Sequence, residues 1–489
     1  EIYTLSLHDA LPILAYNPWW LTGAIPEDYH AMRHRLYLDL FYQRLREHDL
    51  RRSIILMGPR RVGKTVLLFH SIERLIADGV NPQRIIYLSI DTSIYNNLSL
   101  EMLFGMAKKA LLQTNTNEEF YVFYDEIQYL KDWEVHLKSL VDTYRNVHFV
   151  ASGSASAALK MKSGESGAGR FTDFMLPPLT FHEYIHLLNL EQLIVQRPLE
   201  WEGEQVDFFD TIDLQLLNQH FLNYINFGGY PEIVFSAAAQ RNPGLFIRND
   251  IVDKVMLRDL PSLYGIKDTQ ELYRLFVHIV FRSGGEFSLD DLSKESGIKK
   301  ETLKKYIQYL EAAFLIKVVH RIDQNARRFQ RETIFKIYIT NPALRCALFS
   351  PMKETDPMMG SMVETAIYAQ WVQRDGTEIY YANWKQGRTS GEVDMVGLNV
   401  SKQKACWAVE IKWSDLYFEQ PAKLKSLLSF MESNDLHASI VTSISKYQGK
   451  SMQQVFLQFI PASIYAYAVG FNTISQKQNR LYAALNLLK

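Results

Sequence analysis

An α/β protein built around a mostly parallel sheet is the fold class the sequence predicts, and three observations predict it. Short apolar runs of strand character at 54–57, 84–90, 120–124 and 147–151 alternate with helix-period stretches at 66–76 and 98–112. The runs end in glycine, acidic or small hydroxyl residues, where open parallel sheets gather their ligand-binding groups. At 489 residues the chain is also too long for one hydrophobic core, and about two to four domains are expected.

Composition narrows the class. Hydrophobic residues make up 47% and charged residues 22%, the balance of an ordinary globular protein. A net charge of −1 and a pI near 7.0 exclude a global basic field, so any nucleic-acid surface has to be local. Two cysteines, Cys346 and Cys406, form no disulfide framework and no zinc pattern, which suits a cytoplasmic location. The longest apolar stretches fall well short of the roughly 20 residues that span a bilayer, so no membrane partner is expected. No secretory signal stands out. Residues 1–13 (EIYTLSLHDALPI) read as the in-frame translation of a sequencing adapter and are set aside as non-native.

The first strand–helix junction carries the strongest signal. Gly58, Pro59, Arg60, Arg61, Val62, Gly63, Lys64 and Thr65 join the run 54–57 to a helix that opens at Val66. That is G-x-x-x-x-G-K-T between a strand and a helix, the pattern of a phosphate-binding P-loop. The glycines let the backbone close on phosphates, and successive N–H groups point inward at the helix N-terminus. Lys64 then reaches the β- and γ-phosphates and the Thr65 hydroxyl ligates Mg²⁺. Residues 58–66 are the expected nucleotide site, with ATP and Mg²⁺ as cofactors.

A P-loop needs an acidic second strand, and the run 120–124 supplies one by ending in Asp125 and Glu126. Asp125 is placed for the Mg²⁺ shell and Glu126 for polarising the attacking water, which predicts a Mg²⁺-dependent ATPase. The next run ends in Ser152 and Ser154, and either hydroxyl is a candidate sensor of the γ-phosphate. Arg170 has two readings. One is an arginine finger on a neighbouring subunit's nucleotide, which requires a homo-oligomer; the other is a surface arginine.

From about residue 184 the pattern becomes helical and irregular, with 201–205 as a loop and Pro261 ending a helix over 247–265. Helical segments at 271–281, 288–297 and 299–314, followed by a strand at 315–319, read as a winged helix-turn-helix. Its third helix carries Lys299, Lys300, Lys304 and Lys305, and Arg321, Arg327, Arg328 and Arg331 follow. Two partners remain open: the phosphates of double-stranded DNA, or a protein docked on the same surface. No side chain is assigned to a base edge.

A second candidate site lies near the C-terminus. Asp394 sits in the strand pattern 391–397, and Glu410 and Lys412 share one face of the strand pattern 406–412. A hairpin brings Asp394 beside Glu410, and Glu364 joins from an amphipathic helix at 362–371. Glu364, Asp394 and Glu410 are then candidate Mg²⁺ ligands, with Lys412 orienting a nucleophile against a phosphodiester. The plainer alternative is an ordinary surface hairpin.

Several blocks together resemble the prokaryotic AAA-type ATPase family that carries a C-terminal nuclease-like domain of unknown function. They are NPWW (17–20), GPRRVGKT, YDEIQYLKDW, ASGSAS, GRFTDFMLPPLTFHEY and GGYPE (228–232), in that family's order. The resemblance implies a P-loop NTPase parallel sheet over 14–185, a helical lid or linker over 186–265 and a winged helix over 266–330. It implies an α/β restriction-nuclease-like domain of the PD-(D/E)xK type over 331–489, with Val393 where the nominal motif has proline. Retained carboxylates need not mean retained cleavage. The expectation is therefore an ATPase acting on or regulated by DNA, with an endonuclease or a silent nuclease-like tail. The alternative is an ATP-governed regulatory switch whose winged helix and C-terminal domain bind proteins.

Overall fold

The computed structural model describes residues 7–47, 51–92, 95, 98–111, 119–154, 169–201, 204–329, 333–372, 374, 378–386, 389–399, 404–452 and 454–486. Arg331 and the end of the ASGSAS block lie outside these residues. The chain divides into two compact units, Glu1–Pro177 and Pro178–Lys489.

The first unit is built on five parallel strands: β1 (Ser53–Met57), β2 (Ile85–Ser89), β3 (Phe120–Asp125), β4 (Val147–Gly153) and β5 (Phe171–Met175). Their order is β2-β3-β4-β1-β5. Every residue of β1, β2 and β3 is buried, which is why these runs read as continuous apolar stretches rather than alternating ones. Parallel pairing requires long crossovers, and helices α1 (Lys64–Ala77), α2 (Leu100–Ala110) and α3 (Trp133–Thr143) provide them. Leu67, Leu68, Ile72 and Leu75 recur at helical spacing in α1 and are all fully buried. Ser99 caps α2, its hydroxyl accepting from the Met102 N–H at 3.2 Å. Because β4 lies between β1 and β3, the loop-bearing strand and the acidic strand are not neighbours. The register sets Met57 beside Gly153 and Ser89 beside Asp125, so the strand ends converge on one edge of the sheet.

The second unit corrects two expectations. The stretch from 184, expected to be helical and irregular with a loop at 201–205, contains a β-hairpin of β6 (Ile194–Trp201) and β7 (Glu204–Thr211). Both faces of β6 are largely exposed, so the apolar alternation that marks a half-buried strand is absent. Pro198 pairs with Asp207 inside it, which a two-stranded ribbon tolerates because each strand keeps an unpaired edge. Pro261 does not end its helix. The path runs as π-helix through Gly244–Asp253 and Val255–Asp259, then as α-helix through Leu260–Tyr264. Pro261 falls where the path changes from π- to α-helix, and the helix carries on past it to stop at Gly265 with φ 63°.

The glycines of GGYPE answer to packing. A Cβ on Gly229 would lie 1.8 Å from the Asn341 side-chain amide.

Among the described residues nine strands form the larger sheet of this unit: β8 (Glu286–Ser288), β9 (Ile316–Ile322), β10 (Ile334–Ile339), β11 (Ile379–Gln386), β12 (Thr389–Asn399), β13 (Lys404–Glu410), β14 (Ala438–Ser443), β15 (Gln448–Met452) and β16 (Val455–Pro461). Their order is β15-β16-β14-β13-β12-β11-β9-β10-β8. Helices α4 (Thr269–Phe281), α5 (Leu289–Ser296) and α6 (Lys300–Ala312) precede β9, while α7 (Met359–Trp371) and α8 (Ala462–Asn486) come later. Ser288 caps α5 by accepting from the Asp291 N–H at 3.0 Å, and Gly297 closes it at φ 72°. β10 pairs antiparallel with both β8 and β9, and β9 pairs parallel with β11. One sheet thus runs across the expected division at 330/331. Val393 of β12 enters an apolar core with Ala408, Leu427, Phe430, Val441 and Phe459, so the adjacent Asp394 faces the other way. Among the described residues no helix is long and apolar enough to cross a membrane.

A fragment of residues 266–330 would keep β8 and β9 but lose β10, the strand that joins them. It is expected to show no cooperative thermal transition, whereas residues 178–489 unfold cooperatively. A sharp transition in the short fragment would contradict the shared sheet.

Candidate functional site

The loop at 58–65 is shaped by its glycines and by a buried arginine. A Cβ on Gly58 would meet the Leu176 carbonyl oxygen at 2.1 Å, so only glycine lets the chain leave β1 on this path. Gly63 adopts φ 92° at the N-terminus of α1, and Arg61 is also left-handed at φ 63°. Arg35, itself buried, donates to the Val62 carbonyl at 2.6 Å and to the Pro177 carbonyl at 3.0 Å, bracing the loop from below. Lys64 folds over the loop, its Nζ donating to the carbonyls of Gly58 (3.0 Å) and Pro59 (2.9 Å).

Asp125, at the end of β3, collects the rest of the site. Its Oδ2 accepts from Thr65 Oγ1 and from the Tyr87 hydroxyl, each at 2.7 Å. Its Oδ1 accepts from the Ser152 hydroxyl and, at 3.0 Å, from the Glu126 N–H. Glu126 turns the chain at φ 55°, and its carboxylate takes a hydrogen bond from the Gln128 amide. The Gln128 carbonyl in turn accepts from the Ser154 N–H at 3.1 Å. Thr65, Asp125, Glu126 and Ser152 are therefore brought together, with Ser154 one residue pair removed. The donor set fits Mg²⁺–ATP: a closed loop, an ammonium over it, and a hydroxyl paired with a carboxylate.

Arg170 stands apart. It precedes β5 and its carbonyl accepts from the Ser53 N–H at the start of β1, the opposite end of the strand from the loop. Its guanidinium pairs with Asp142 at 2.5 Å on the surface.

In the second unit, antiparallel pairing of β12 with β13 sets Met395 beside Val409 and brings Asp394 next to Glu410. Lys412 Nζ lies between the two carboxylates, 3.2 Å from Asp394 and 2.7 Å from Glu410. Asp394 Oδ2 also accepts from the Ile411 N–H at 2.8 Å. The second oxygen of Glu410 is buried and has no hydrogen-bond partner among the described residues. Glu364 on α7 faces the same cluster but is engaged by Lys336 (3.0 Å) and Tyr338 (2.5 Å). Lys336 reaches Glu392 as well, at 2.7 Å. Among the described residues no three carboxylate, histidine or cysteine side chains are gathered to hold an ion by themselves.

Sequence reasoning missed Tyr87, Arg35 and Gln128 in the first unit, and Lys336, Tyr338 and Glu392 in the second. Tyr87 is hidden inside an apolar strand. Lys336 and Tyr338 arrive from β10, which no local pattern links to Asp394.

Residues 50–185 match a family model described as an AAA domain, and residues 218–355 match a domain of unknown function. An uncharacterized protein of Haemophilus influenzae is 23% identical over 296 residues, covering 60% of this chain and 68% of that protein. Two uncharacterized proteins of Methanocaldococcus jannaschii are each 25% identical, covering 71% of this chain and 74% and 73% of their own lengths. Among solved structures, Aeropyrum pernix ORC1 in complex with DNA aligns with a TM-score of 0.30 and 13% identity, over 68% of this chain and 95% of that one. C. elegans PCH-2 aligns with a TM-score of 0.26 and 13% identity, over 44% of this chain and 60% of that one. The family match and the five-stranded parallel sheet agree on an AAA-type P-loop ATPase fold for the first unit.

Burial shapes the electrostatics of the C-terminal cluster. It pushes the Glu410 carboxyl up to about 8, with the Asp394 charge adding to the effect against Lys412. Burial also acts on Asp394, but Lys412 and Lys336 outweigh it and hold that carboxyl below its usual range. A carboxyl raised in the folded state keeps a proton that the unfolded chain has already released. Its contribution therefore falls away as pH rises from the ordinary carboxylate range to about 8. Glu410→Gln removes this term. In metal-free buffer the wild-type thermal midpoint is expected to decline relative to the variant across that window. Parallel curves would contradict the assignment.

Proposed function

We propose that the chain is a Mg²⁺-dependent ATPase that acts on DNA or is regulated by it, with a C-terminal nuclease-like module. The observation that carries the nucleotide part is the Asp125 carboxylate held by Thr65 and Ser152 beside the loop of Lys64. Lys64 exchanges two backbone carbonyls for phosphate oxygens, a short swing from its present position. Thr65 and Asp125 would hold Mg²⁺, which when bound offsets the negative charge on the phosphates. Glu126, steadied by Gln128, orients the attacking water. Of the two serines, Ser152 is the better placed to sense the γ-phosphate, because its hydroxyl already meets Asp125. An arginine-finger role for Arg170 works only on another protomer's nucleotide, and so entails a homo-oligomer.

Support for a DNA partner comes from the second unit. The order α4, β8, α5, α6, β9, β10, with β10 between β8 and β9, supports the winged helix-turn-helix reading. Lys299, Lys300, Lys304 and Lys305 are exposed on and before α6, and Arg327 and Arg328 are exposed after β9. The grouping of Asp394, Glu410 and Lys412 supports the nuclease-like reading of this module. A cytoplasmic location suits such a role.

The switch reading has its own support. Lys300 pairs with Asp290 and Lys304 with Glu301 at 3.8 Å, so part of the basic face is neutralised at home. Lys412 likewise serves Asp394 and Glu410 as an internal counter-ion.

One experiment separates them. ATP turnover and plasmid cleavage are measured with and without duplex DNA for the wild type, Lys64→Ala and Lys412→Ala. The proposal expects turnover to rise with DNA and to vanish in Lys64→Ala, with cleavage falling roughly 100-fold or more in Lys412→Ala. A turnover rate indifferent to saturating DNA would end the DNA reading and favour the switch.

A further inference from the structure

The motif Asn17-Pro18-Trp19-Trp20 has no part in the nucleotide chemistry above, yet it is built onto the strand beside it. β2 is an edge strand of the five-stranded sheet, with β3 on one side. On the other side Asn17 takes the position of a neighbouring peptide. Its Nδ2 donates to the Tyr87 carbonyl at 2.9 Å, and its Oδ1 accepts from the Tyr87 N–H at 2.6 Å. The indole N–H groups of Trp19 and Trp20 both donate to the Ile85 carbonyl, at 3.0 and 2.7 Å. Asn17, Trp19 and Trp20 are all buried. An unpaired strand edge is normally covered by some means, and that accounts for the two tryptophans.

It does not account for where Asn17 acts. The residue it holds at both backbone groups is the one whose hydroxyl donates to Asp125 Oδ2 at 2.7 Å. Phe69 of α1 packs against the Tyr87 ring with centroids 4.9 Å apart, fixing its other degree of freedom. The same Asp125 oxygen accepts from Thr65, the hydroxyl assigned to the metal. If Tyr87 is taken away, that oxygen keeps only a donor that must itself turn toward the ion.

We infer that Tyr87 is a positioning residue for the magnesium site, and that Asn17 sets its backbone so that its hydroxyl fixes the Asp125 carboxylate. The inference rests on the Mg²⁺-ATPase reading. Neither residue touches the nucleotide; both act through Asp125. Outer partners of this kind commonly govern about 10- to 100-fold in metal affinity.

The test uses the full chain, a non-hydrolysable ATP analogue and Mn²⁺ as the metal probe, with bound Mn²⁺ read by paramagnetic resonance. Analogue affinity in the presence of a chelator is measured in parallel. Tyr87→Phe is expected to weaken Mn²⁺ binding about 10-fold or more, with metal-free analogue affinity unchanged. Asn17→Ala moves Mn²⁺ affinity in the same direction by less. Trp20→Phe leaves the Ile85 carbonyl paired with Trp19, so it lowers the thermal midpoint without changing Mn²⁺ affinity. Wild-type Mn²⁺ binding in Tyr87→Phe overturns the inference even if Asn17→Ala fails to fold. Equal weakening in Trp20→Phe overturns it too, since general loosening would then explain the loss. A wild-type protein that binds no analogue at all overturns the ATPase reading, and this inference with it.

Discussion

Asp125 is an acceptor of hydrogen bonds from three side chains and one backbone N–H, supplied by four separate segments. Thr65 comes from α1, Tyr87 from β2, Ser152 from β4 and the N–H from the turn at Glu126. The residue is only 2% exposed. A charge taken out of water to that degree is costly unless its lone pairs are met, and here they are met by the elements that surround it. Much of the first unit follows from that requirement. β2 must flank β3 for Tyr87 to reach, and β4 must lie between β3 and β1 for Ser152 to reach. Those are the neighbours in the sheet order β2-β3-β4-β1-β5. The loop after β1 then opens onto a carboxylate that is already oriented.

The second unit solves a similar problem with charge instead of hydroxyls. Glu364, Asp394 and Glu410 are drawn toward one region by α7, β12 and the end of β13, and two lysines are interleaved with them. Lys336 is more buried than any of its partners, with 3% of its side chain exposed. Burial disfavours its charge, but Glu364 and the other nearby acids outweigh burial and raise its pKa well above the ordinary lysine value. Each lysine thus lets its acids remain in a dry environment, and each acid does the same for its lysine. Removing a lysine would strip buried acids of their counter-charge.

How much of this was legible in the sequence depends on how local each signal is. The P-loop was readable because its glycines answer to backbone constraints within eight consecutive residues, and the structure shows Gly58 hemmed in by Leu176. Asp125 and Glu126 were readable because they end a fully apolar strand. Tyr87 was not, since a tyrosine in a buried strand looks like core until its hydroxyl is seen to meet Asp125. Asn17 and the tryptophans stand out as a motif, but their contacts lie 65 to 70 residues away. Asp394 and Glu410 lie on neighbouring strands of one hairpin, a local relation that the sequence pattern carries. Lys336 escaped because β10 reaches the cluster only through a nine-stranded sheet whose order departs from the sequence. The β6–β7 hairpin escaped because the largely exposed faces of β6 leave no alternation to read in that strand.

A structure of the protein with Mg²⁺ and a non-hydrolysable ATP analogue would show directly whether Asp125 organises the metal site. The ion is expected on Thr65 Oγ1, with Asp125 beside it and still bonded to Tyr87. Lys64 is expected to be released from the carbonyls of Gly58 and Pro59 onto the phosphates. A nucleotide bound elsewhere, with Lys64 still on those carbonyls and Asp125 remote from the ion, would contradict that role.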